Sequence, residues 1–386
     1  MDTRDIFTVL LTTFAGMAVL YAPQPLFPAL AERFAVSETA VASLITWSLV
    51  PMAVSPLFVG LLMQTVAPRY VLAASASLLG ATELLFAFTD LFFGVIAIRS
   101  LQGVLVSTML ASTMTYVSLK AARVSQVMAL YVASSILGGL LGRLAAGYGA
   151  AWLGVPAVFV GIGAVTIGGA GLAWVLSPEP ETPDQKIEPG RLTTVLRSSP
   201  LVLLYGVVFS AFFVFTALLN FIPFRVSDLG VDGSGTVGLA YIGFILGLVA
   251  ALTANRVADK LGGQLRAVGI GSLLLASALG FALVENYLAV VGSVVVASVG
   301  FFLVHTVLSG YVNKHAGEKA SSVNGLYVSI YYAGGAIGSY VPGLVYETVG
   351  WTAFLGTLGA VSVFGMMLFV QAIRTAPPRL SPVPRG

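Results

Sequence analysis

The stretch V-M-A-L-Y-V-A-S-S-I-L-G-G-L-L-G, Val127 to Gly142, returns as V-N-G-L-Y-V-S-I-Y-Y-A-G-G-A-I-G, Val323 to Gly338. The shared frame is V-x-x-L-Y-V, five residues, then G-G-x-x-G, at an offset of 196 positions in a chain of 386. The match extends beyond the frame: Arg123 pairs with Lys319, Gly147 with Gly343 and Gly154 with Gly350. A pattern written twice, half a chain apart, marks an internal duplication. The residue after the frame breaks the symmetry, Arg143 in one copy and Ser339 in the other.

Composition says where the duplicated unit lives. The chain is 58% hydrophobic and 9% charged, with a mean hydropathy of +0.96. A soluble domain carries about 25% charged residues, so most of this exterior must face lipid. With no cysteine, disulfides, thiolate chemistry and iron–sulfur sites are excluded. The two histidines, His305 and His315, stand in no H-E-x-x-H, so no metal site is expected. No Lys follows a Gly, so the phosphate-cradling G-x-x-x-x-G-K-[ST] loop is missing and no nucleotide cofactor is expected. Basic residues are scattered through short loops, which argues against nucleic acid despite a pI near 9.1.

A spanning helix needs about 20 mostly apolar residues. That window predicts twelve spans, at about 6–30, 39–63, 70–90, 92–118, 124–150, 154–176, 200–225, 236–255, 267–285, 287–313, 320–346 and 350–373. The sequence Ala29 to Ala31 weakly imitates a signal-peptidase site, but the apolar run before it is too long for a cleavable signal, and the first span reads as retained. Of the nineteen Lys and Arg, fifteen fall in loops on the side of the termini and two, Arg33 and Arg225, on the other. Arg99 and Arg143 fall within spans. This bias predicts cytoplasmic termini and supports an even number of spans. The longest hydrophilic stretch, Ser177 to Arg191, is rich in Pro and charge and reads as a flexible connector. The division is therefore residues 1–176 as a six-helix bundle, 177–199 as a cytoplasmic linker, 200–374 as a second bundle and 375–386 as a cytoplasmic tail. The repeated glycines are read as packing faces, because lipid gives helices little hydrophobic reason to associate and small residues allow close approach. Gly138 with Gly142, Gly334 with Gly338, and Gly243 with Gly247 have that spacing.

Local motifs add a resemblance. The loop after span eight, N-R-V-A-D-K-L-G-G-Q, carries Asp259, Lys260 and Gly262. The equivalent loop after span two, G-L-L-M-Q-T-V-A-P-R, carries Gly60, Gln64 and Arg69. Span four contains R-S-L-Q-G, Arg99 to Gly103, and span five contains G-G-L-L-G-R-L-A-A-G. Together these resemble the major facilitator superfamily over essentially the whole chain. The first loop is similar to its G-x-x-x-D-R-x-G loop, with Asn255 for the first Gly; the second has Gln64 where Asp usually stands. R-S-L-Q-G is similar to the family's R-x-x-Q-G, and the span-five run to its Gly-rich antiporter motif, with Arg143 where Pro is common. The opening Y-A-P-Q-P-L-F-P-A-L, Tyr21 to Leu30, looks like a bacterial sugar-efflux and multidrug exporter branch. The fold this resemblance implies is all-α and polytopic: twelve transmembrane helices in two pseudo-symmetric six-helix bundles around a central cavity.

Features that the halves do not share are the better site candidates. A charged residue near the bilayer centre costs about 2.5–3.5 kcal/mol on insertion scales, so it faces a cavity or a partner. Arg99 has an apolar counterpart near Val295, and Glu83 sits at a similar depth. Arg99 is thus either the partner of Glu83 or a cavity residue; Arg143 is either a structural donor or a functional charge. These three are the candidates for coupling. The family's cavity-lining spans point to Tyr21, Gln24, Arg99, Gln102, Asn220 and His305, with Asn324, Tyr327 and Tyr331 along span eleven. Phe209, Phe212, Phe213 and Phe215 read as lipid-facing or core. The expected activity is alternating-access transport of a small neutral or anionic organic molecule, because buried arginines outnumber buried acids. Proton-coupled export across a bacterial cytoplasmic membrane, by a monomer, is the expectation the resemblance favours. Organic-anion uptake by symport or facilitated diffusion is the alternative within transport. A non-transporting sensor would need a signalling domain, and a membrane enzyme a cluster of reactive groups at depth.

Overall fold

Hydrocarbon offers no water to a free N–H or C=O, so a chain this apolar must close its backbone hydrogen bonds within helices or a closed barrel. In the computed structural model every regular element is helical among the described residues, which are 1–55, 58–59, 62–63, 65–178, 199–231, 233–316 and 320–375. Gly60, Gln64 and the side chain of Asn324 lie outside them, as do most of the linker and the tail. Ten helical segments are long and apolar enough to cross a membrane, and the 17-residue helix Glu38–Val54 is a shorter apolar one. Side chains such as Leu85, Phe93, Trp152, Leu273 and Met367 point outward, as contact with lipid requires.

In chain order the first helices are α1 (Thr3–Tyr21), α2 (Phe27–Phe34), α3 (Glu38–Val54), α4 (Pro68–Phe88), α5 (Phe92–Lys120), α6 (Val124–Leu153) and α7 (Val155–Ala173). After the linker come α8 (Ser199–Asp228), α9 (Ser234–Leu239), α10 (Phe244–Lys260), α11 (Gln264–Ala282), α12 (Tyr287–Ala316), α13 (Ala320–Gly338), α14 (Val341–Val349) and α15 (Trp351–Thr375). Three expected spans are interrupted. Pro23 and Pro25 stop α1, and a 3-10 turn, Gln24–Leu26, leads into α2. A second 3-10 turn, Ala240–Gly243, separates α9 from α10. Span eleven breaks between α13 and α14, whereas its counterpart α6 runs unbroken. Pro342 explains the difference: it stands where the first copy has Ala146, and proline has no N–H for the preceding turn.

The repeated glycines lie where two helices touch. A Cβ on Gly138 would strike the carbonyl oxygen of Phe14, and one on Gly142 would come within 2.6 Å of the Ala18 Cα. In the second copy Gly334 and Gly338 sit in the same way on the carbonyl oxygens of Phe209 and Phe213. Each repeat thus seats its fifth span on its first through bare backbone. Gly154 and Gly350, also equivalent, turn the chain at φ 84° and 96°, a region side chains avoid.

The chain forms two compact units. One comprises Met1–Lys186 with Leu219–Phe244, the other Ile187–Leu218 with Ile245–Gly386. The boundaries fall inside α8 and at the head of α10, so the distal end of α8, α9 and the turn after it belong to the first unit.

Leucine at Gly138 or Gly334 should prevent this seating, with a loss of about 3 kcal/mol or more. Gly168 and Gly280, with nothing within 4 Å of an added methyl, should accept alanine without effect. Melting of detergent-solubilised protein, followed by size-exclusion chromatography, checks both outcomes.

Candidate functional site

The first site follows from the break in α1. Pro23 lacks the N–H that would close on the Val19 carbonyl, and the turn after it leaves Leu20 without its helical donor. Arg99 of α5 supplies both: Nη1 donates to Val19 O at 3.0 Å and Nη2 to Leu20 O at 2.6 Å. Its Nε reaches Leu44 O of α3 at 3.3 Å, and Nη1 also donates to Gln102 Oε1 at 2.8 Å. A cation at the negative end of a helix is favourable. Gly103 lets α5 close on α3, since a Cβ there would collide with the Ser48 backbone. Arg99 is sealed, at 0% exposure, and does not line an open cavity in this conformation.

Glu83 is equally buried, on α4. The anticipated direct pair with Arg99 takes another form: Gln102 receives from Arg99 and donates through Nε2 to Glu83 Oε1 at 3.4 Å. Glu83 Oε2 has no partner among the described residues.

The second site is built around Arg143, which is 1% exposed. Nη1 donates to Gly139 O of its own helix at 2.7 Å, and Nε donates to Gln24 Oε1 at 2.6 Å. The guanidinium lies over the rings of Tyr21 at 4.3 Å, Phe244 at 4.6 Å and Tyr241 at 5.1 Å. Stacked cations on desolvated rings contribute up to about 2 kcal/mol each. Because Arg has no acceptor, it fixes the Gln24 amide with oxygen inward. The Gln24 amino group is then turned to Asn220 Oδ1, to which it donates. Gln24 and Asn220 are 196 positions apart, the period of the repeat, so a residue bonds to its own counterpart. Both residues lie in the first compact unit. Around this contact, Ser234 Oγ donates to Gly147 O at 2.8 Å and Tyr241 Oη to Leu219 O at 2.9 Å. Ser339 shows what the second copy lacks: its hydroxyl donates to Gly335 O at 2.7 Å, the equivalent of Arg143 on Gly139, and reaches no further.

The remaining candidates are distributed. His305, Tyr327 and Tyr331 come together in the second unit: the Tyr327 hydroxyl lies 3.2 Å from His305 Nδ1, and the His305 and Tyr331 rings are 4.6 Å apart. Phe212 and Phe215 are core, stacked on Tyr331 and Phe301 at 4.0 and 4.1 Å. Asp259 and Lys260 are exposed at the end of α10, before a turn made by Gly262 at φ 82°. Arg69 stacks on Tyr70 at 4.6 Å.

The model of the Major Facilitator Superfamily matches residues 9–339. The chain belongs to this superfamily. It is 25% identical to the MFS-type transporter YybF of Bacillus subtilis, over 92% of this chain and 89% of that protein. It is also 25% identical to the inner membrane transport protein YnfM of Escherichia coli, over 95% and 89%. A crystal structure of a bacterial homolog of the human lysosomal transporter Spinster, inward-facing and occupied, superposes with a TM-score of 0.79 at 14% identity, covering 98% of each chain. This facilitator is a multi-pass membrane transporter and not an enzyme.

Several residues of the facilitator's polar interior carry no motif. Asp5 is fully buried and accepts from Tyr116 Oη at 3.0 Å and from the Ser177 backbone at 3.3 Å, tying the start of α1, the end of α5 and the entry to the linker together. Tyr241 and Phe244 were equally invisible as partners of Arg143. The available signal was type alone: a carboxylate one turn into an apolar helix, and aromatics beside a helix break.

Arg99→Met should leave the Val19 and Leu20 carbonyls without donors and lower stability by about 2–4 kcal/mol. Arg99→Lys should recover about half of that loss, since one ammonium cannot span three carbonyls. Thermal melting in detergent orders the variants as wild type, Lys, Met.

Proposed function

We propose that this facilitator is a secondary active transporter that exports a small neutral or anionic organic molecule across a bacterial cytoplasmic membrane, driven by protons. Both termini lie in the cytoplasm in this reading, on the strength of the basic loops on their side. The observation that carries it is the cluster of Arg143, Gln24 and Asn220, together with Tyr21, Tyr241 and Phe244. It joins the ends of α1, α6 and α8 away from the termini, inside the first compact unit. Alternating access requires such a contact to form and release as the repeats rock about a midplane site. We therefore assign Arg143 as a latch that closes the outer end, and Arg99 as the cap that holds the broken α1 in place for it.

The substrate class follows from charge. Among the described residues the buried cations Arg99, Arg143 and Arg225 outnumber the buried acids Asp5 and Glu83, and Asp5 is engaged by Tyr116 and the Ser177 backbone, which disfavours cations. Glu83 is our candidate for the coupling proton, because Oε2 is at depth and unpartnered among the described residues. Export rather than uptake follows from the likeness of Tyr21 to Leu30 to exporters.

Purified protein in liposomes with an imposed pH gradient, screened against neutral and acidic organic compounds, tests the reading. At least one compound should move against its gradient, and Glu83→Gln should cut the pH-driven component by about tenfold while sparing counterflow. Movement of no compound under either gradient would sink it. The latch has its own measurement. The chain lacks cysteine, so Val237→Cys, at a position 4% exposed, adds one reporter thiol. Adding Arg143→Met, which removes about 1.4 kcal/mol or more of closure, should speed its reaction with a polar maleimide about tenfold; an unchanged rate removes Arg143 from gating.

A further inference from the structure

One face of α12 changes character partway along its length. The positions not buried against other helices follow one stripe: Val291, Val295, Val296, Val299 and Phe302, then His305, Thr306, Ser309, Gly310 and Asn313. The first part is apolar, as lipid or packing demands. The second is polar over about two and a half turns, and a row of His, Thr, Ser and Asn is disfavoured against acyl chains. That half of the stripe calls for polar surroundings, and His305 stands where it meets the apolar half.

His305 is held by Tyr327 through both its ring and its backbone. The Tyr327 hydroxyl lies 3.2 Å from the His305 carbonyl oxygen and 3.2 Å from Nδ1. A phenol has one proton, and the carbonyl can only accept it. With the phenol proton on the carbonyl, Nδ1 carries the ring proton and donates to the phenol oxygen, and Nε2 is left as an acceptor; this tautomer is the one the subsite uses. Nε2 has no hydrogen-bond partner among the described residues, and the ring is half-buried. Beside it Tyr331, also half-buried, is backed by Phe212 at 4.0 Å with ring planes 6° apart, and Phe301 lies parallel to the imidazole at 5.8 Å. The wall is aromatic, and the imidazole presents Nε2 beside it as an acceptor.

We propose that this corner is a binding subsite for an uncharged aromatic molecule bearing one O–H or N–H donor, a phenol or an aryl amine. The ring packs against Tyr331 and its neighbours, and the donor meets His305 Nε2. A carboxylate has no proton to offer Nε2 of this tautomer, whereas a phenol or aryl amine does. The subsite rests on the transport reading above and narrows its substrate class to the neutral aromatic side.

The probes are 2-naphthol and its methyl ether, 2-methoxynaphthalene, which has the same ring system and no donor. Saturable binding to the full-length protein in lipid nanodiscs is read by fluorescence anisotropy against empty nanodiscs. Wild type should bind 2-naphthol about fivefold more tightly than the ether, the worth of one hydrogen bond. His305→Leu should erase the preference. Tyr327→Phe keeps the shape but frees the imidazole to place its proton on Nε2, and should reduce the preference by half or more. Tyr331→Leu should weaken both probes about threefold to tenfold. Equal binding of the two probes, no saturable binding, or a preference that survives His305→Leu overturns the subsite. Liposome flux of other compounds, measured on the same preparation, separates this from the broader reading: flux without naphthol binding leaves the transporter and removes the subsite, and absence of all flux removes the transporter itself.

Discussion

Pro23 deletes a backbone donor in a medium that cannot replace it. In water the Val19 and Leu20 carbonyls would be solvated at little cost; inside a membrane protein each must find a proton on another side chain. Arg99 is the group that reaches both, and it can do so because its fork is planar, permanently charged and long. The same guanidinium touches α3 through Leu44 and orients Gln102 toward Glu83. One missing N–H thus determines how three helices of the first unit are held. The broken α1 that results brings Gln24 into position to serve Arg143.

Two relays of the same design follow. Arg99 fixes Gln102, which then donates to Glu83; Arg143 fixes Gln24, which then donates to Asn220. In each, a side chain with donors only sets the orientation of an amide, and the amide passes that constraint to a third group. A buried amide that lost its arginine would be left half-satisfied, at a cost of about 1–3 kcal/mol. The glutamines therefore make sense only in company with the arginines, and the pairs are better read as units than as separate polar residues.

Period and chemistry type were legible in the sequence, and partners were not. The offset between Val127 and Val323 revealed the duplication, and the G-G-x-x-G frames marked the seats of the fifth spans on the first, because small residues have one common use in lipid. The intramembrane arginines stood out by type alone. What they bind could not be read, since backbone carbonyls are the same at every residue and only the proline break shows which are free. The expectation that Arg99 faces a cavity arose from that gap: charge was visible, while the four acceptors surrounding it were not. The contact between Gln24 and Asn220 coincides with the period of the repeat, but nothing in the pattern marked the pair as partners. The stacking of Phe212 on Tyr331 had none, because aromatic residues suit core and lipid equally.

If the Arg143 cluster is the latch we propose, its bonding bears on how it would open. Asn220 Nδ2 is buried and has no partner among the described residues, so this arrangement retains an uncompensated donor. Gln24 shares its two ends between Arg143 and Asn220, which makes the bonds conditional on one another: once Asn220 withdraws, the Gln24 amino group is unpaired, and the alignment that held Arg143 over three rings is lost. Linked bonds of this kind favour two discrete arrangements over a continuum, which a carrier needs if it is not to leak. The orphaned donor lowers the cost of leaving the closed arrangement without weakening the geometry that defines it. A second copy of Arg143 at Ser339 would add another buried cation with no glutamine opposite it, since the repeat supplies Asn220 and not a second long amide at that place. The asymmetry of the twin motifs is thus a consequence of having a single contact to govern.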